Sequence, residues 1–340
     1  MADDRRQSFS FRRLSSVICR PEWSEIVDVN DIKTVAVVGA GTMGPGMAAT
    51  FARYGYKTRL FDIKPEQLEK AKGTVEFVYK TLIMGGFATE EEAAAGRANL
   101  TYTGDLAEAV GDADFVLETV PERAEIKTAV FKELDKAARP DVILASNTSG
   151  IPITTLGAAV ADPSRVVGMH WSNPPHVIPV IEVIRGEKTS QEALDVTSAL
   201  VEKIGMVPAE VKKDIPGFVE NRILYAIMRE ALHLLDEGVA SAEDIDKITK
   251  WGIGYKIAVI GPLELLDMAG LDIYTAVASY LNKDLSNSAE ISSTVTSKVA
   301  EGKLGIKTGG GLFEYTPEKI AELQQRRGRL LLGTKKVLQS

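Results

Sequence analysis

Residues 39–44, with the sequence Gly-Ala-Gly-Thr-Met-Gly, restrict the fold of this chain more than any other segment. The run before them, Thr-Val-Ala-Val-Val at 34–38, is apolar and β-branched, which is typical of a buried parallel strand. The residues after them, 47–54, are predicted to be helical. A glycine-rich turn between a buried strand and a helix is the fingerprint of a dinucleotide-binding βαβ unit.

The spacing of the glycines fits this interpretation. Gly39 permits the tight turn, Gly41 lets the backbone approach a pyrophosphate, and Gly44 allows close packing of strand and helix. The helix amino terminus would then face the phosphates with free N–H groups. Asp62 lies 21 residues beyond Gly41, at the end of the next predicted strand, where its carboxylate would bind the ribose hydroxyls and repel a 2′-phosphate. We therefore predict NAD as the cofactor, bound in this segment by Gly39, Gly41, Thr42, Met43 and Gly44.

Strands and helices alternate along the first part of the chain. Further strands are predicted at 58–61, 114–117, 142–145 and 166–169, with helices at 65–84 and 125–138. This alternation predicts an α/β fold, a Rossmann-like doubly wound parallel sheet with right-handed crossovers. From about Pro216 the apolar residues follow helical spacing, which predicts an all-helical C-terminal domain.

These patterns predict three regions and one exposed helix. The regions are a flexible N-terminal arm at 1–30, an NAD-binding Rossmann-like domain at 31–213, and a helical substrate and dimerisation domain at 214–340. The basic segment 319–336 within the last region is expected to be a solvated helix.

Composition excludes several classes of protein. The chain has 340 residues and one cysteine, Cys19, so it forms neither an intrachain disulfide nor a cysteine-based metal cluster. Its three histidines lack metal-ligand spacing, and we expect no metal. The net charge of -7 argues against nucleic acid as a partner. No apolar run approaches the roughly 18 residues of a membrane helix, so we expect no membrane-spanning segment and no membrane partner. The single cysteine needs no oxidising compartment, so the cytoplasm is the expected location.

Polar residues stand where several predicted strands end. Glu118, Ser146 and His170 each close a strand, and ligands of open α/β sheets bind beyond the carboxyl ends of the strands. These side chains are therefore expected to meet in one crevice. His170 is the candidate general base because the imidazole pKa lies near neutrality. Glu182 stands in the next apolar run, where a buried carboxylate needs a partner, and we expect that partner to be His170.

Taken together, the motifs resemble those of the 3-hydroxyacyl-CoA dehydrogenase family over nearly the whole chain. The resemblance implies a Rossmann-like domain, a helical domain that forms a homodimer, and a site in the cleft between them. The motifs that carry it are GAGTMG at 39–44, SNTS at 146–149, HWSNP at 170–174, PGFVENR at 216–222, GPLELLDMAGLD at 261–272 and GIKTGGGLFEY at 305–315.

The resemblance also implies roles for individual residues. His170 matches the catalytic histidine, Glu182 its acidic partner, and Asn221 an asparagine that helps to hold the substrate. Ser146 matches a serine that hydrogen-bonds the reacting oxygen. The implied reaction is the reversible oxidation of a secondary alcohol such as a 3-hydroxyacyl-CoA in fatty acid metabolism, with hydride transfer to NAD. Two further cofactor-binding residues are implied, Glu122 near the nicotinamide ribose and Asn173 in the segment after the histidine.

Departures from the family pattern leave the substrate open. The family's HFFNP segment is His-Trp-Ser-Asn-Pro at 170–174, and the turn at 254–262 is longer than usual. An acyl-CoA is one candidate substrate. The other is a compact carboxylate such as a hydroxy or formyl pyridine carboxylate of vitamin B6 degradation, which a similar variant of the family uses. His176 and Lys256 would suit such a small carboxylate.

Two alternatives to an enzyme of this family stay open. A β-hydroxyacid dehydrogenase would carry a catalytic lysine on the first helix of the second domain, and here no lysine occurs from Asn221 to Glu237. A non-catalytic NAD-binding protein, like the crystallins recruited from this family, would be favoured by loss of the histidine and its acidic partner. Both residues are present, so an enzyme is the leading hypothesis.

Overall fold

The computed structural model describes residues 28–338. The predicted arm at 1–30 lies outside the described residues except for its last three, and Cys19 lies outside them as well.

An eight-stranded sheet forms the centre of the first part of the chain. Its order is β3-β2-β1-β4-β5-β6-β7-β8, and the first six strands run parallel. β7 is antiparallel to β6, and β8 is parallel to β7. The strands are β1 Thr34–Val38, β2 Lys57–Phe61, β3 Leu100–Thr103, β4 Phe115–Glu118, β5 Ile143–Ser146, β6 Val166–Trp171, β7 Val180–Ile184 and β8 Val207–Val211.

Helices cover both faces of this sheet, so the predicted doubly wound fold is confirmed. Every residue of β1 is buried because the alternating side chains enter two cores. Val35 and Val37 belong to the core under the helix that follows the glycine loop, and Ala36 and Val38 belong to the core on the opposite face. The helices are α1 Gly44–Arg53, α2 Pro65–Gly85, α3 Glu90–Asn99, α4 Leu106–Val110, α5 Ala124–Ala137, α6 Ile153–Gly157 and α7 Gln191–Lys203.

The strand order reverses between β1 and β4, and this reversal creates the binding crevice. From β1 the chain continues to β2 and β3 on one side of β1 in the sheet. β4 then pairs with the other side of β1, and the later strands follow outward from β4. Loops after β1 and β4 therefore diverge at the carboxyl edge of the sheet, which is where open α/β sheets bind their ligands. The glycine loop at 39–44 lies at this point.

The chain after the sheet is helical and exposes many apolar side chains. None of the residues of α8, α11 and α12 is buried within the single described chain. Leu224 and Met228, both on the predicted apolar stripe of α8, are 40% and 45% exposed. The helices are α8 Glu220–Asp236, α9 Ala242–Ile248, α10 Tyr255–Ile257, α11 Pro262–Ala269, α12 Leu271–Asp284, α13 Ser293–Ala300 and α14 Pro317–Leu338.

Two further observations concern the helices. Across residues 28–338, no helix combines the length and the apolar character required to cross a bilayer. The basic segment 319–336 is helical as expected, but it is not fully solvated, because Lys335 of α14 is only 7% exposed.

Candidate active site

The glycine loop has the geometry that a dinucleotide requires. Gly39 has φ +116°, and a Cβ there would lie 2.7 Å from the carbonyl oxygen of Thr119. A Cβ on Gly44 would lie 1.9 Å from the carbonyl oxygen of Gly39, so both positions admit only glycine. In contrast, nothing lies within 4 Å of a Cβ on Gly41, which leaves open space beside the loop.

That open space is lined by donors that suit a pyrophosphate. Within residues 28–338, the backbone N–H groups of Gly41, Thr42 and Met43 have no hydrogen-bond acceptor. They precede α1, whose amino terminus carries the positive end of the helix dipole. The residues present therefore fit the phosphates of NAD.

Asp62 closes the loop from the end of β2. Its Oδ2 accepts a hydrogen bond from the N–H of Ala40 at 2.9 Å, and its Oδ1 accepts one from the N–H of Lys64 at 2.9 Å. The side chain is half-buried, so lone pairs remain available to ribose hydroxyls. The contact of Asp62 with the ribose hydroxyls of NAD stays a prediction.

Substitution Asp62→Asn tests this contact. Asparagine keeps one acceptor oxygen for the loop but removes the charge that repels a 2′-phosphate. We expect NAD+ to bind roughly tenfold more weakly, since hydrogen bonds to charged groups contribute about 1.5–3 kcal/mol. We expect NADP+ to bind more tightly than to the wild type. Titration of both nucleotides measures the ratio of dissociation constants, and an unchanged ratio would place the ribose contact elsewhere.

His170 and Glu182 are paired by the register of two antiparallel strands. They are direct partners across β6 and β7, so their side chains project from the same face of the sheet. His170 Nδ1 lies 2.8 Å from Glu182 Oε2, and both residues are buried. The contact expected from the sequence is thus present, and the reason is the reversal of chain direction between β6 and β7.

Glu182 also binds the amino terminus of α8. Its Oε1 accepts hydrogen bonds from the N–H groups of Val219 at 2.9 Å and Glu220 at 3.1 Å. Burial alone would raise the pKa of Glu182, but the hydrogen bonds from His170 and from these two N–H groups outweigh it and hold the pKa below its usual value. The carboxylate is therefore ionised, and His170 Nδ1 carries the proton that it donates to Glu182.

This protonation leaves Nε2 as the basic atom of the imidazole. Across residues 28–338, no side chain or backbone group forms a hydrogen bond with His170 Nε2. The ring of Phe218 packs against the imidazole, with 5.9 Å between ring centroids. Phe218 has φ +48°, a conformation that is uncommon for residues other than glycine and that is often found at functional sites. The site therefore offers one oriented proton acceptor.

Ser146 lies apart from this acceptor, in a buried polar network. Its side chain is fully buried, and its Oγ donates to Glu118 Oε2 at 2.6 Å. Lys127 Nζ donates to Glu118 Oε1 at 2.8 Å and to the carbonyl of Val120 at 3.2 Å. Burial raises the pKa of Glu118, against the opposing effects of Lys127 and Ser146. The structure thus differs from the expectation that Glu118 and Ser146 face the substrate, because both hydroxyl and carboxylate are occupied beneath the crevice.

The loop after β5 presents a different serine to the crevice. Ser149 is exposed, and its carbonyl accepts a hydrogen bond from Asn221 Nδ2 at 3.0 Å. Glu122 Oε1 accepts hydrogen bonds from Thr148 Oγ1 at 2.7 Å and from the N–H groups of Ser149 and Gly150 at 2.8 and 3.1 Å. Asn221 and Glu122, both expected at the site, therefore meet at this loop. The sequence placed the whole SNTS segment at a strand end but suggested a role only for Ser146 and none for Ser149.

Two further polar residues near the imidazole were missed. Glu220 directly precedes Asn221, and its carboxylate accepts a hydrogen bond from Ser172 Oγ. Ligand atoms of His170, Glu182 and Glu220 lie within 4.8 Å of one another, so a second carboxylate stands beside the pair. Asn147 Oδ1 accepts a hydrogen bond from the N–H of Trp171 at 2.8 Å and so fixes the backbone next to the imidazole. Only their positions in the SNTS and PGFVENR motifs pointed to them.

The connection between β6 and β7 carries Asn173 and His176. Asn173 is exposed, whereas His176 is 8% exposed and its Nδ1 has no hydrogen-bond partner within residues 28–338. A Cβ on Gly46 of α1 would lie 2.7 Å from Pro175 Cγ and 3.5 Å from His176 Nδ1. Burial, and then the charge of Lys335, lower the pKa of His176 to about 4. His176 is therefore neutral and buried, which does not suit the predicted role as a carboxylate anchor; Lys256 is exposed on α10.

The lowered pKa of His176 makes stability depend on pH. The unfolded chain, with a histidine pKa of 6.5, binds more protons than the folded chain above pH 4. Stability is therefore complete above pH 6.5 and is lost as the pH falls towards 4, by up to about 3 kcal/mol. We expect His176→Gln to reduce the loss of unfolding free energy between pH 7 and pH 4 by about this amount in denaturant titrations.

The matched control for this prediction is His233→Gln, because His233 lies on α8 and is not buried. It should leave the pH dependence of unfolding close to that of the wild type. An identical acid dependence in His176→Gln and wild type would contradict the prediction.

Family comparison agrees with this site. Residues 34–215 match the profile of the 3-hydroxyacyl-CoA dehydrogenase NAD binding domain, and residues 217–315 match that of the C-terminal domain. The chain belongs to the 3-hydroxyacyl-CoA dehydrogenase family, which confirms the resemblance, the enzyme class and NAD as cofactor. It is thus an NAD-dependent dehydrogenase that acts on hydroxyl groups.

Three relatives show which members of the family this chain is similar to. The chain is 49% identical over 308 residues to 5-formyl-3-hydroxy-2-methylpyridine 4-carboxylate 5-dehydrogenase of Mesorhizobium japonicum, covering 91% of this chain and 99% of that one. A crystal structure of the enzyme of that name, described as an NAD+ dependent dismutase, superimposes with a TM-score of 0.86 at 48% identity, over 91% of this chain and 99% of the other. A probable 3-hydroxybutyryl-CoA dehydrogenase of Bacillus subtilis is 40% identical over 287 residues, 84% of this chain and 98% of that one.

Proposed function

We propose that this enzyme oxidises the alcohol or the hydrated aldehyde of a compact pyridine carboxylate, with His170 and Glu182 as its general base pair. The proposed chemistry rests on the buried contact of 2.8 Å between His170 Nδ1 and Glu182 Oε2. Within residues 28–338, His170 Nε2 has no hydrogen-bond partner. The chain continues from His170 to Pro175 and His176, which lie beside α1. Bound NAD+ supplies the hydride acceptor, and His170 Nε2 accepts the hydroxyl proton as the carbon loses hydride.

Each proposed residue has one task in this scheme. Glu182 holds the imidazole through Nδ1 and stabilises its protonated form by charge. Asn221 orients the loop that carries Ser149, whose exposed hydroxyl is the better candidate to bind the reacting oxygen, since the hydroxyl of Ser146 donates to Glu118. The Glu122 carboxylate holds the same loop by accepting hydrogen bonds from the backbone N–H groups of Ser149 and Gly150. Asn173 remains a candidate cofactor contact on the exposed connection after the histidine.

An aldehyde substrate fits the same groups. Water adds to the carbonyl to give a hydrate with two hydroxyls; one hydroxyl proton passes to Nε2, hydride leaves the carbon, and the carboxylic acid forms. His170 would return the proton to the oxygen of a second aldehyde as that aldehyde takes up the hydride that the cofactor would hold, which would give the alcohol. Two aldehydes and one water thus yield one acid and one alcohol without net consumption of NAD+, which is the balance of a dismutase.

The choice of a pyridine carboxylate is supported by similarity along the whole chain. The pyridine carboxylate dehydrogenase of M. japonicum is 49% identical over 91% of this chain, against 40% over 84% for the probable hydroxybutyryl-CoA dehydrogenase. The departures at 170–174 and 254–262 lie where the family resemblance places the substrate. A 3-hydroxyacyl-CoA remains the second candidate because the second relative is a probable dehydrogenase of that class.

A substrate panel separates these candidates. The enzyme is mixed with NAD+ and either 5-formyl-3-hydroxy-2-methylpyridine-4-carboxylate, the corresponding hydroxymethyl compound, or 3-hydroxybutyryl-CoA, and the products are quantified by chromatography. Acid and alcohol in equal amounts from the aldehyde would support the proposal. Turnover of the CoA thioester alone would overturn the substrate assignment. If the enzyme binds NAD+ but turns over none of the three compounds, both candidate substrate classes would be overturned.

We further propose that residues 214–340 form the substrate and dimerisation domain of a homodimer and residues 31–213 the NAD-binding domain. Large apolar side chains are exposed along the helical part, including Tyr225 at 68%, Leu263 at 77% and Met268 at 74%. An apolar surface of this extent favours burial against a second copy of the chain. Sedimentation velocity tests the assembly: a dimer supports the proposal, and a monomer at micromolar concentration contradicts it.

A further inference from the structure

Helix α14 lies beyond the part of the chain that matches the family. The family profile ends at residue 315, and α14 spans Pro317–Leu338. Despite its basic composition, this helix packs against the first domain. A Cβ on Gly85, at the end of α2, would lie 3.0 Å from Leu332 Cδ2, so the absence of a side chain there allows the two helices to approach closely.

The carboxyl end of α14 buries a lysine beside Phe87 of the first domain. Lys335 is 7% exposed, and its Nζ lies 5.2 Å from the centroid of the Phe87 ring, within the range of a cation–π contact. Its positive charge contributes, after burial, to the low pKa of His176, which lies in the connection between β6 and β7. Burial, and then Arg53, lower the pKa of Lys335 to about 8.

The middle of α14 contacts the same connection directly. Arg327 Nη2 donates a hydrogen bond to the carbonyl of Asn173 at 3.0 Å. Asn173 is the third residue after His170, and within residues 28–338 no other group donates to its carbonyl. Arg327 and Lys335 are eight residues apart, about 12 Å along a helix, so the hydrogen bond to Asn173 and the buried lysine lie more than two turns apart on α14.

The opposite side of the connection rests on the start of α1. Pro175 occupies the space that a side chain on Gly46 would need, and the N–H groups of Val177 and Ile178 both bond to the carbonyl of Pro174. Residues 172–178 thus contact α1, α8 through the hydrogen bond from Ser172 to Glu220, and α14. Within residues 28–338, the Arg327 hydrogen bond is the exposed polar contact among these, and it can be removed without opening a cavity.

We propose that Arg327 is a positioning residue, which fixes the backbone of 172–178 before substrate binds. The inference rests on the proposed function, since it takes the site beside His170 as the substrate site. A connection that is already ordered loses less conformational entropy when substrate binds. Loss of the Arg327 hydrogen bond therefore weakens substrate binding while the imidazole, held by β6 and β7, keeps its geometry.

The kinetic test compares Arg327→Ala with a conservative and a neighbouring variant. We expect Arg327→Ala to raise KM for the pyridine aldehyde about three- to tenfold, with kcat and the dissociation constant of NAD+ within about twofold of wild type. Arg327→Lys should restore part of the lost affinity. Arg326→Ala is the matched control, because Arg326 is exposed on the same turn and its side chain forms no hydrogen bond within residues 28–338. Equal KM values in the Ala variants at 326 and 327 would overturn the proposal.

Hydrogen exchange tests the same inference without substrate. In Arg327→Ala, the amides of Val177 and Ile178 should exchange faster than in wild type, with unchanged exchange in β6 and β7. Wild-type exchange at these amides would overturn the proposal even if the enzyme turned over its substrate. Conversely, faster exchange in a protein that turned over no substrate on the panel would support the positioning and refute only the proposed function.

Discussion

Replacing His170 by glutamine is expected to lower kcat by on the order of 10²- to 10⁴-fold, the range for loss of a general base. Glutamine fills much of the same space and can still donate to Glu182, so the strands keep their pairing, but it offers no basic nitrogen at the position of Nε2. NAD+ should bind with a dissociation constant close to that of the wild type, because the glycine loop at 39–44 is formed by other residues. Single-turnover NADH formation and nucleotide titration measure the two quantities.

A companion variant separates the base from its partner. Glu182→Gln leaves the imidazole in place but removes the charge that stabilises its protonated form, and it exchanges one acceptor oxygen for a donor. We expect a smaller loss of kcat than for His170→Gln. A near-normal rate in His170→Gln would mean that another group accepts the proton, and Glu182 and Glu220 are then the adjacent acidic candidates.

Replacing Lys127 by methionine is expected to destabilise the protein by about 3–5 kcal/mol, the range for removing one partner of a buried ion pair. The side chains of Lys127 and Glu118 are 1% and 0% exposed, and their closest atoms lie 2.8 Å apart. Methionine preserves the length of the apolar stem but leaves the Glu118 carboxylate without its cation. Denaturant titration of wild type and variant gives the difference in unfolding free energy.

The control for this prediction removes both charges. Glu118→Gln combined with Lys127→Met eliminates the unpaired carboxylate, and it should recover a substantial part of the lost stability. The Ser146 hydroxyl retains an acceptor in the glutamine oxygen. A double variant as unstable as Lys127→Met alone would show that packing of the lysine stem, rather than charge, accounts for the loss.

Local patterns in the sequence were sufficient for the elements that form the cofactor site. The run 34–38 is a strand with the predicted bounds, and the predicted helix at 65–84 is α2. Gly39, Gly44 and Asp62 occupy the positions that the fingerprint demands, because a turn between a strand and a helix is decided by residues close together in the chain. The pairing of His170 with Glu182 was also foreseen, since an isolated carboxylate is unfavourable in an apolar strand.

Contacts between distant segments could not be predicted in this way. The sequence pattern did not reveal that β7 reverses direction, although this reversal sets His170 opposite Glu182. Nor did it reveal that the Ser146 side chain points inwards and donates to Glu118. A side chain at the end of a strand can face either the core or the crevice, and the sequence pattern is the same in both cases. The burial of Lys335 depends on α14 returning to the first domain, which the basic composition of that segment argued against.

The two oxygens of Glu182 serve different parts of the molecule. One binds the imidazole, and the other accepts both N–H groups at the start of the helical domain. The two N–H groups help to keep the pKa of Glu182 low, so lengthening these contacts would make the carboxylate a stronger base. The placement of the first helix of the helical part and the charge that stabilises the protonated imidazole therefore depend on one side chain.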